Sequence, residues 1–242
     1  MTISLAGKKV LVTGATGAIG RAITESLLES GAWIAASYFS DEAGANALRD
    51  RGGLMVQADL TDRGQARDLV DQVLQTSGHL DAIVYCAGNI MDRSLTKMTD
   101  SEWDEVMKLH LDGLMACCQK VIPSMRERRN GRLVAIGSIS GLVGRVGQAN
   151  YCAAKAATIG LMKSVAKEVG RFGITANVIL PGFIDSKMTR TAPPQLRERA
   201  KADSLLGTLS TAEVVASFAT WLLSDRCQGV TGQVFHLDSR IF

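Results

Sequence analysis

Aromatic residues are scarce in this 242-residue chain, at 5% against 46% hydrophobic residues overall. The apolar material is therefore mostly Ala, Val, Leu, Ile and Met, a mix that suits buried parallel strands covered by helices. Long apolar runs are missing as well. None approaches the roughly 20 residues needed to cross a bilayer, so no membrane partner is expected. An excess of one charge is also absent: 27 Lys and Arg against 24 Asp and Glu leave a net +3. That is too small and too dispersed to indicate nucleic acid. The cluster Arg126, Arg128, Arg129 and Arg132 either meets an acidic partner or complements a solvated helix end. The five cysteines (86, 117, 118, 152 and 227) form no CxxC or zinc-like spacing, which predicts reduced thiols and no metal site. No basic region precedes an apolar stretch at Met1–Lys9, so no secretory signal is expected. These absences together predict a soluble, cytoplasmic protein.

What is present alternates short apolar runs with longer amphipathic segments. Strands are expected at about 10–13, 33–38, 54–58, 82–86, 133–137, 175–179 and 232–237. Helices are expected at about 19–30, 41–51, 62–76, 101–128, 151–169 and 211–223. Strand alternating with helix predicts βαβ units, hence an α/β fold: a Rossmann-type doubly wound parallel sheet of about seven strands with helices on both faces. No linker or repeat divides residues 1–242, so one domain is expected. The stretch 184–209, with Pro193-Pro194, reads as a long irregular segment and a substrate lid.

After the first expected strand comes Gly14-Ala15-Thr16-Gly17-Ala18-Ile19-Gly20, opening a helix. Glycines there allow a tight turn and bring backbone N–H groups close to a pyrophosphate. Asp59, after the third strand, is placed either to accept a hydrogen bond from an adenine amine or to cap the next helix. Ala87-Gly88 lets the backbone pass close to a ribose. At the end of the second strand, where NAD enzymes place an acid, stand Ser37-Tyr38-Phe39-Ser40, with Asp41 only at the following helix start. That favours a 2′-phosphate and NADPH/NADP, although no arginine is visible nearby to clamp it.

Tyr151 and Lys155, four apart on an expected helix, share one face. A phenol with a pKa near 10 is a poor acid–base catalyst at neutral pH, and a nearby ammonium lowers that value. Ser138, after a central strand, is positioned to orient a substrate carbonyl. With these residues in hand, the chain resembles the single-domain branch of the short-chain dehydrogenase/reductase family along essentially its whole length. The pieces occur in order: the glycine turn, Asp59-Leu60, Cys86-Ala87-Gly88, Ser138, Tyr151-x-x-x-Lys155 and Pro181-Gly182. The segments around Gln148 and Phe183 most resemble 3-oxoacyl-acyl-carrier-protein reductases, which implies that both residues face substrate. The resemblance further implies that Lys155 binds the nicotinamide ribose, that Ile184 and Ser186 hold the carboxamide, and that Tyr151 supplies the proton.

The chain departs from that pattern at three places. The glycine turn has Ala18 and Gly17 where relatives have glycine and another residue. His110 stands where the family has an asparagine supporting a water chain to the lysine. A histidine could hold that water, exchange protons with it, weaken the relay, or merely pack. The chain also ends Asp238-Ser239-Arg240-Ile241-Phe242 in place of Asp-Gly-Gly.

The resemblance implies an acyl chain on an acyl-carrier protein as substrate, in fatty-acid or polyketide-like synthesis. It also implies a docking position at Arg129, a second matching Phe172 beside Arg171, and a homotetramer or homodimer. The lid residues Met188, Leu196, Leu205 and Leu206 suit an acyl chain. Arg190, Arg197, Arg199 and Lys201 suit either an acidic partner or solvent. Two other functions fit the residues: an NAD(P)-dependent dehydrogenase of a small or cyclic alcohol, and a nucleotide-binding protein with little turnover.

Overall fold

Four consecutive buried positions in Val10–Thr13 show why the first strand forms: it is covered on both faces, as a central parallel strand must be. The computed structural model describes residues 3–184 and 194–240. Its strands are β1 (Lys9–Thr13), β2 (Trp33–Tyr38), β3 (Leu54–Gln57), β4 (Ala82–Tyr85), β5 (Gly131–Ile136), β6 (Ile174–Pro181) and β7 (Val234–Leu237). They form one parallel sheet in the order β3-β2-β1-β4-β5-β6-β7. The order reverses between β1 and β4, and open α/β sheets bind ligands at the carboxyl ends of strands beside such a switch point.

The helices are α1 (Ala18–Glu29), α2 (Glu42–Arg49), α3 (Arg63–Ser77), α4 (Asp100–Met107), α5 (Gly113–Arg128), α6 (Ser140–Val143), α7 (Ala149–Val169), α8 (Pro194–Ala202) and α9 (Ala212–Leu223). They divide the core into two layers. One holds Leu69, Val73, Leu114, Val121 and Met162. The other holds Ile23, Leu27, Leu48, Val215 and Leu222. The Rossmann-type doubly wound sheet in a single domain is therefore as the alternation predicts.

Three local expectations need correction. The single helix expected over 101–128 is two helices joined by a π-helical turn, Lys108–Asp112. Wider π-helical winding frees the Leu109 carbonyl, which accepts a hydrogen bond from the buried Tyr85 hydroxyl at 2.6 Å. A Cβ at Gly113 would collide with that same hydroxyl oxygen, so the turn needs a glycine there. Second, 184–209 is not irregular throughout, because α8 occupies 194–202; Ser186, Met188 and Arg190 lie outside the described residues. Third, the cap of α3 is Asp62, whose carboxylate accepts from the Gly64 and Gln65 N–H groups; Asp59 is not that cap.

At the opposite end of the sheet from the switch point, Asp81 ties the layers together. Its carboxylate accepts from Arg128 on α5 at 2.7 Å and from the Lys9 N–H on β1 at 2.9 Å. Burial pushes its carboxyl up, but Arg128 and the Lys9 N–H outweigh that and hold it below the usual range. Removing one member leaves the other charge without its partner. Asp81→Ala is expected to lower the unfolding free energy by about 3 kcal/mol in urea titration.

Candidate active site

A single cavity of about 1300 Å³ runs along the carboxyl ends of the strands. At one end it is walled by Gly14, Thr16, Gly17, Ala18, Ile19 and Gly20, then by Ser37, Tyr38, Phe39 and Asp59-Leu60. Further along come Cys86, Ala87 and Gly88, and finally Ser138, Gln148, Tyr151, Lys155, His110, Pro181, Gly182, Phe183 and Ile184. The structure thus brings together every expected site residue within the described part of the chain.

The first end has the form of a dinucleotide cradle. Gly14 has φ +64°, and a Cβ there would stand 2.7 Å from the Ala87 Cα. A Cβ at Gly20 would run into the Gly14 carbonyl oxygen. Glycine is thus required at both positions, and the close approach of β1 to β4 follows from it. α1 begins at Gly17 with no side-chain cap and no acid in its first turn, so its first N–H groups and its dipole suit a phosphate. Asp59 turns its carboxylate to the Thr61 N–H and hydroxyl, at 2.9 and 2.7 Å. At the adenosine end, Asp41 accepts from the Gly44 N–H and caps α2, committing its charge to that helix. Tyr38 is buried, its hydroxyl donating to Glu42 at 2.6 Å and accepting from Arg49 at 3.1 Å.

The chemistry lies where β4, β5, the π-helical turn and α7 converge. Burial raises the Tyr151 phenol above its ordinary value, with a counteracting hydrogen bond from Ser138. The expected lowering by Lys155 is not the governing effect here. Lys155 lies 5.7 Å from the tyrosine ring and donates to the Ile136 carbonyl at 2.7 Å. Burial brings Lys155 itself down to about 8, with the Cys86 thiol nearby. That thiol is pushed up to about 12 by burial, so it stays neutral.

His110 is 2% exposed, and its ring meets that of Tyr151 edge-on at 5.3 Å. Nε2 lies 2.8 Å from the Asn89 carbonyl and 3.2 Å from the Asn89 N–H, and Nδ1 has no partner among the described residues. Gly88 is required beneath it, because a Cβ would stand 2.5 Å from the imidazole Cε1. Burial first, and then the Lys155 charge, bring the imidazole down to about 3, against the opposing Asn89 hydrogen bond. His110 is thus neutral at physiological pH.

Further residues support the cavity or line it. The buried Thr13 hydroxyl accepts from the Cys86 and Ala87 N–H groups at 3.1 and 3.2 Å, which holds the end of β4 against β1. Asn89, Asp92 and Glu105 line the catalytic end; Arg21 on α1, paired with Glu25, and Arg240 in the tail also line the cavity. Asp238 and Arg240 form a paired salt bridge, and the Ser239 hydroxyl lies 2.6 Å from that of Ser204. The unusual tail thereby joins the segment after α8 to the cavity wall.

The sign of the His110 shift dictates an acid weakness. Its folded value lies below the unfolded value of about 6.5, so the unfolded state takes up the proton first. Stability is full above about pH 6.5 and falls as pH drops toward 3. Denaturant titrations of wild type and His110→Asn, each at pH 7.5 and pH 5, check this. Wild type is expected to lose about 2 kcal/mol more than the variant over that interval.

Comparison with known proteins agrees with this geometry. Residues 14–239 match the family described as Enoyl-(Acyl carrier protein) reductase. The chain is 37% identical over 239 residues to the 3-oxoacyl-[acyl-carrier-protein] reductase FabG of Thermotoga maritima, covering 97% of both chains. It is 36% identical to the protein of the same name from Escherichia coli (strain K12), covering 98% of both. A solved structure titled "Crystal structure of gox2181" superposes with a TM-score of 0.92 at 30% identity, covering 98% of this chain and 96% of the other. With the cradle, the Ser138–Tyr151–Lys155 group and these relatives in agreement, the chain belongs to the short-chain dehydrogenase/reductase family as an NAD(P)-dependent oxidoreductase.

Proposed function

We propose that the chain reduces the 3-oxo group of an acyl thioester carried on an acyl-carrier protein, with NADPH as cofactor, in the cytoplasm. The observation that carries this reading is the continuity of one cavity from the glycine cradle to Ser138, Tyr151 and Lys155, in a chain 36–37% identical to proteins named for that reaction.

The cradle residues fit a nicotinamide dinucleotide. Gly14, Thr16, Gly17, Ala18, Ile19 and Gly20 would hold its phosphates, and Asp59-Leu60 its adenine. Cys86, Ala87, Gly88 and Lys155 would hold the ribose on the nicotinamide side. Pro181, Gly182 and Ile184 would flank the nicotinamide, with Ser186 assigned by family resemblance. Ser37, Tyr38 and Phe39 would border the adenosine ribose. NADPH is favoured because Asp41 is spent on the α2 cap and Arg21 stands in the cavity wall. When bound, the reduced nicotinamide supplies the hydride.

The chain's own residues manage the proton. Ser138 would orient the carbonyl oxygen toward Tyr151. Burial keeps the phenol protonated in the resting site, the state needed to donate to a developing alkoxide. Lys155, at about 8, is able to exchange a proton near neutral pH. His110 is neutral and would border that relay without adding a charge to it. Gln148 and Phe183 would border the substrate. α8 contributes Leu196 and Arg199 to the cavity wall, and Leu205 and Leu206 are exposed beyond it, as an acyl-covering lid requires.

Arg126 and Arg171 stack on the Phe172 ring, with Arg129 donating to the Arg171 carbonyl, forming a basic patch suited to an acidic carrier protein. Assembly as a homo-oligomer through the long helices completes the proposal; at Gly160 on α7 a Cβ would meet open space.

The test is spectrophotometric oxidation of NADPH and of NADH with an acetoacetyl thioester. NADPH is expected to be consumed much faster than NADH, and Tyr151→Phe is expected to cut kcat by about a hundredfold or more. Unchanged turnover in Tyr151→Phe would overturn the catalytic assignment, and equal use of both cofactors would overturn the NADPH preference.

A further inference from the structure

α8 has nine residues and buries one of them, Ala200, yet it supplies Leu196, Arg199 and Ala200 to the cavity wall. A helix this short draws its stability from packing, so one with so little of it needs another anchor. Among the described residues that anchor is the tail beyond β7.

The tail starts against the strand end that borders the cavity. The Gly182 N–H donates to the Leu237 carbonyl at 3.0 Å, and a Cβ at Gly182 would stand 3.2 Å from the Asp238 Cγ. Asp238 then fixes Arg240, whose backbone N–H and guanidinium both donate to its carboxylate. Their side chains are only 8% and 15% exposed, so solvent weakens this pair little. Between them stands Ser239, which meets the chain leaving α8. Its carbonyl accepts from the Leu205 N–H at 3.1 Å, and its hydroxyl lies 2.6 Å from that of the buried Ser204. The N–H groups of Asp203 and Ser204 still donate back to the Arg199 and Lys201 carbonyls, so these contacts act directly on the end of the helix. Glycine at position 239, as in the Asp-Gly-Gly ending, would have no hydroxyl to reach Ser204.

We propose that the tail is a clasp, with Ser239 as a positioning residue that holds α8 against the cavity and thereby slows the release of bound NADPH. Parting the two hydroxyls breaks a hydrogen bond between groups otherwise withdrawn from water, which favours the closed arrangement. The movement of such covering elements sets the rate of product release in many enzymes. The inference rests on reading the cavity as a nicotinamide dinucleotide site, and is independent of the acyl-carrier substrate.

The experiment uses Ser239→Ala, Ser204→Ala, the double variant, and Ser239→Thr, which keeps the hydroxyl. Hydrogen–deuterium exchange over residues 194–206 is measured without cofactor, and NADPH dissociation is followed by stopped-flow fluorescence. Each single alanine variant is expected to speed both by about fivefold. The double variant is expected to do no more than either single one, because the two hydroxyls make one contact. Ser239→Thr is expected to stay near wild type, and exchange in β6 to be the same in all. Unchanged exchange over 194–206 in the alanine variants overturns the clasp, as does equal acceleration in β6, the mark of general loosening. Faster exchange with unchanged NADPH dissociation overturns the control of release. A wild-type protein that binds no NADPH overturns the cofactor reading and the control of release with it, and the exchange rates alone then decide the clasp.

Discussion

Desolvation of three titratable side chains at one end of the sheet is the constraint around which the site is organised. Lys155 and His110 are buried and Tyr151 is half-buried, and desolvation is the largest influence on each. It acts in one direction for all three, toward the neutral form. The phenol keeps its proton, the ammonium gives its proton up more readily, and the imidazole is never charged at working pH. Lys155 therefore carries the proton most readily exchanged near neutrality, and the Tyr151 phenol keeps its own.

That arrangement depends on backbone features some distance from the reacting atoms. The π-helical turn at Lys108–Asp112 is stabilised by Tyr85 capturing the Leu109 carbonyl, and it carries His110 inward. Gly88 leaves room for the imidazole, and the Asn89 backbone holds its Nε2 edge. Thr13 ties the end of β4 to β1 beside the glycine cradle. Packing thus fixes the chemistry, because each support is a buried contact with a single compatible geometry.

Much of this could be read from residue order alone. Apolar runs alternating with amphipathic segments define the sheet and its helices, since both signals are local. That Gly14, Ser138, Tyr151 and Lys155 share one cavity wall is legible because the roles proposed for them require particular residue types at particular ends of elements. The π-helical turn was not, because its cause is a tyrosine more than twenty residues away on another strand. The acidity of Tyr151 was misjudged for a similar reason: spacing shows that Lys155 is near, but not that its ammonium turns to the Ile136 carbonyl. Asn89, Asp92, Glu105 and Arg240 belong to no motif, and only the folded chain shows them on the cavity wall.

The measurement that tests this account most directly is a ¹⁵N NMR titration of the His110 imidazole in the folded protein. Burial next to Lys155 predicts a neutral ring, with nitrogen shifts unchanged from pH 8 down to pH 5. A midpoint near 6.5 would contradict it, showing a solvated histidine and a site not organised by desolvation.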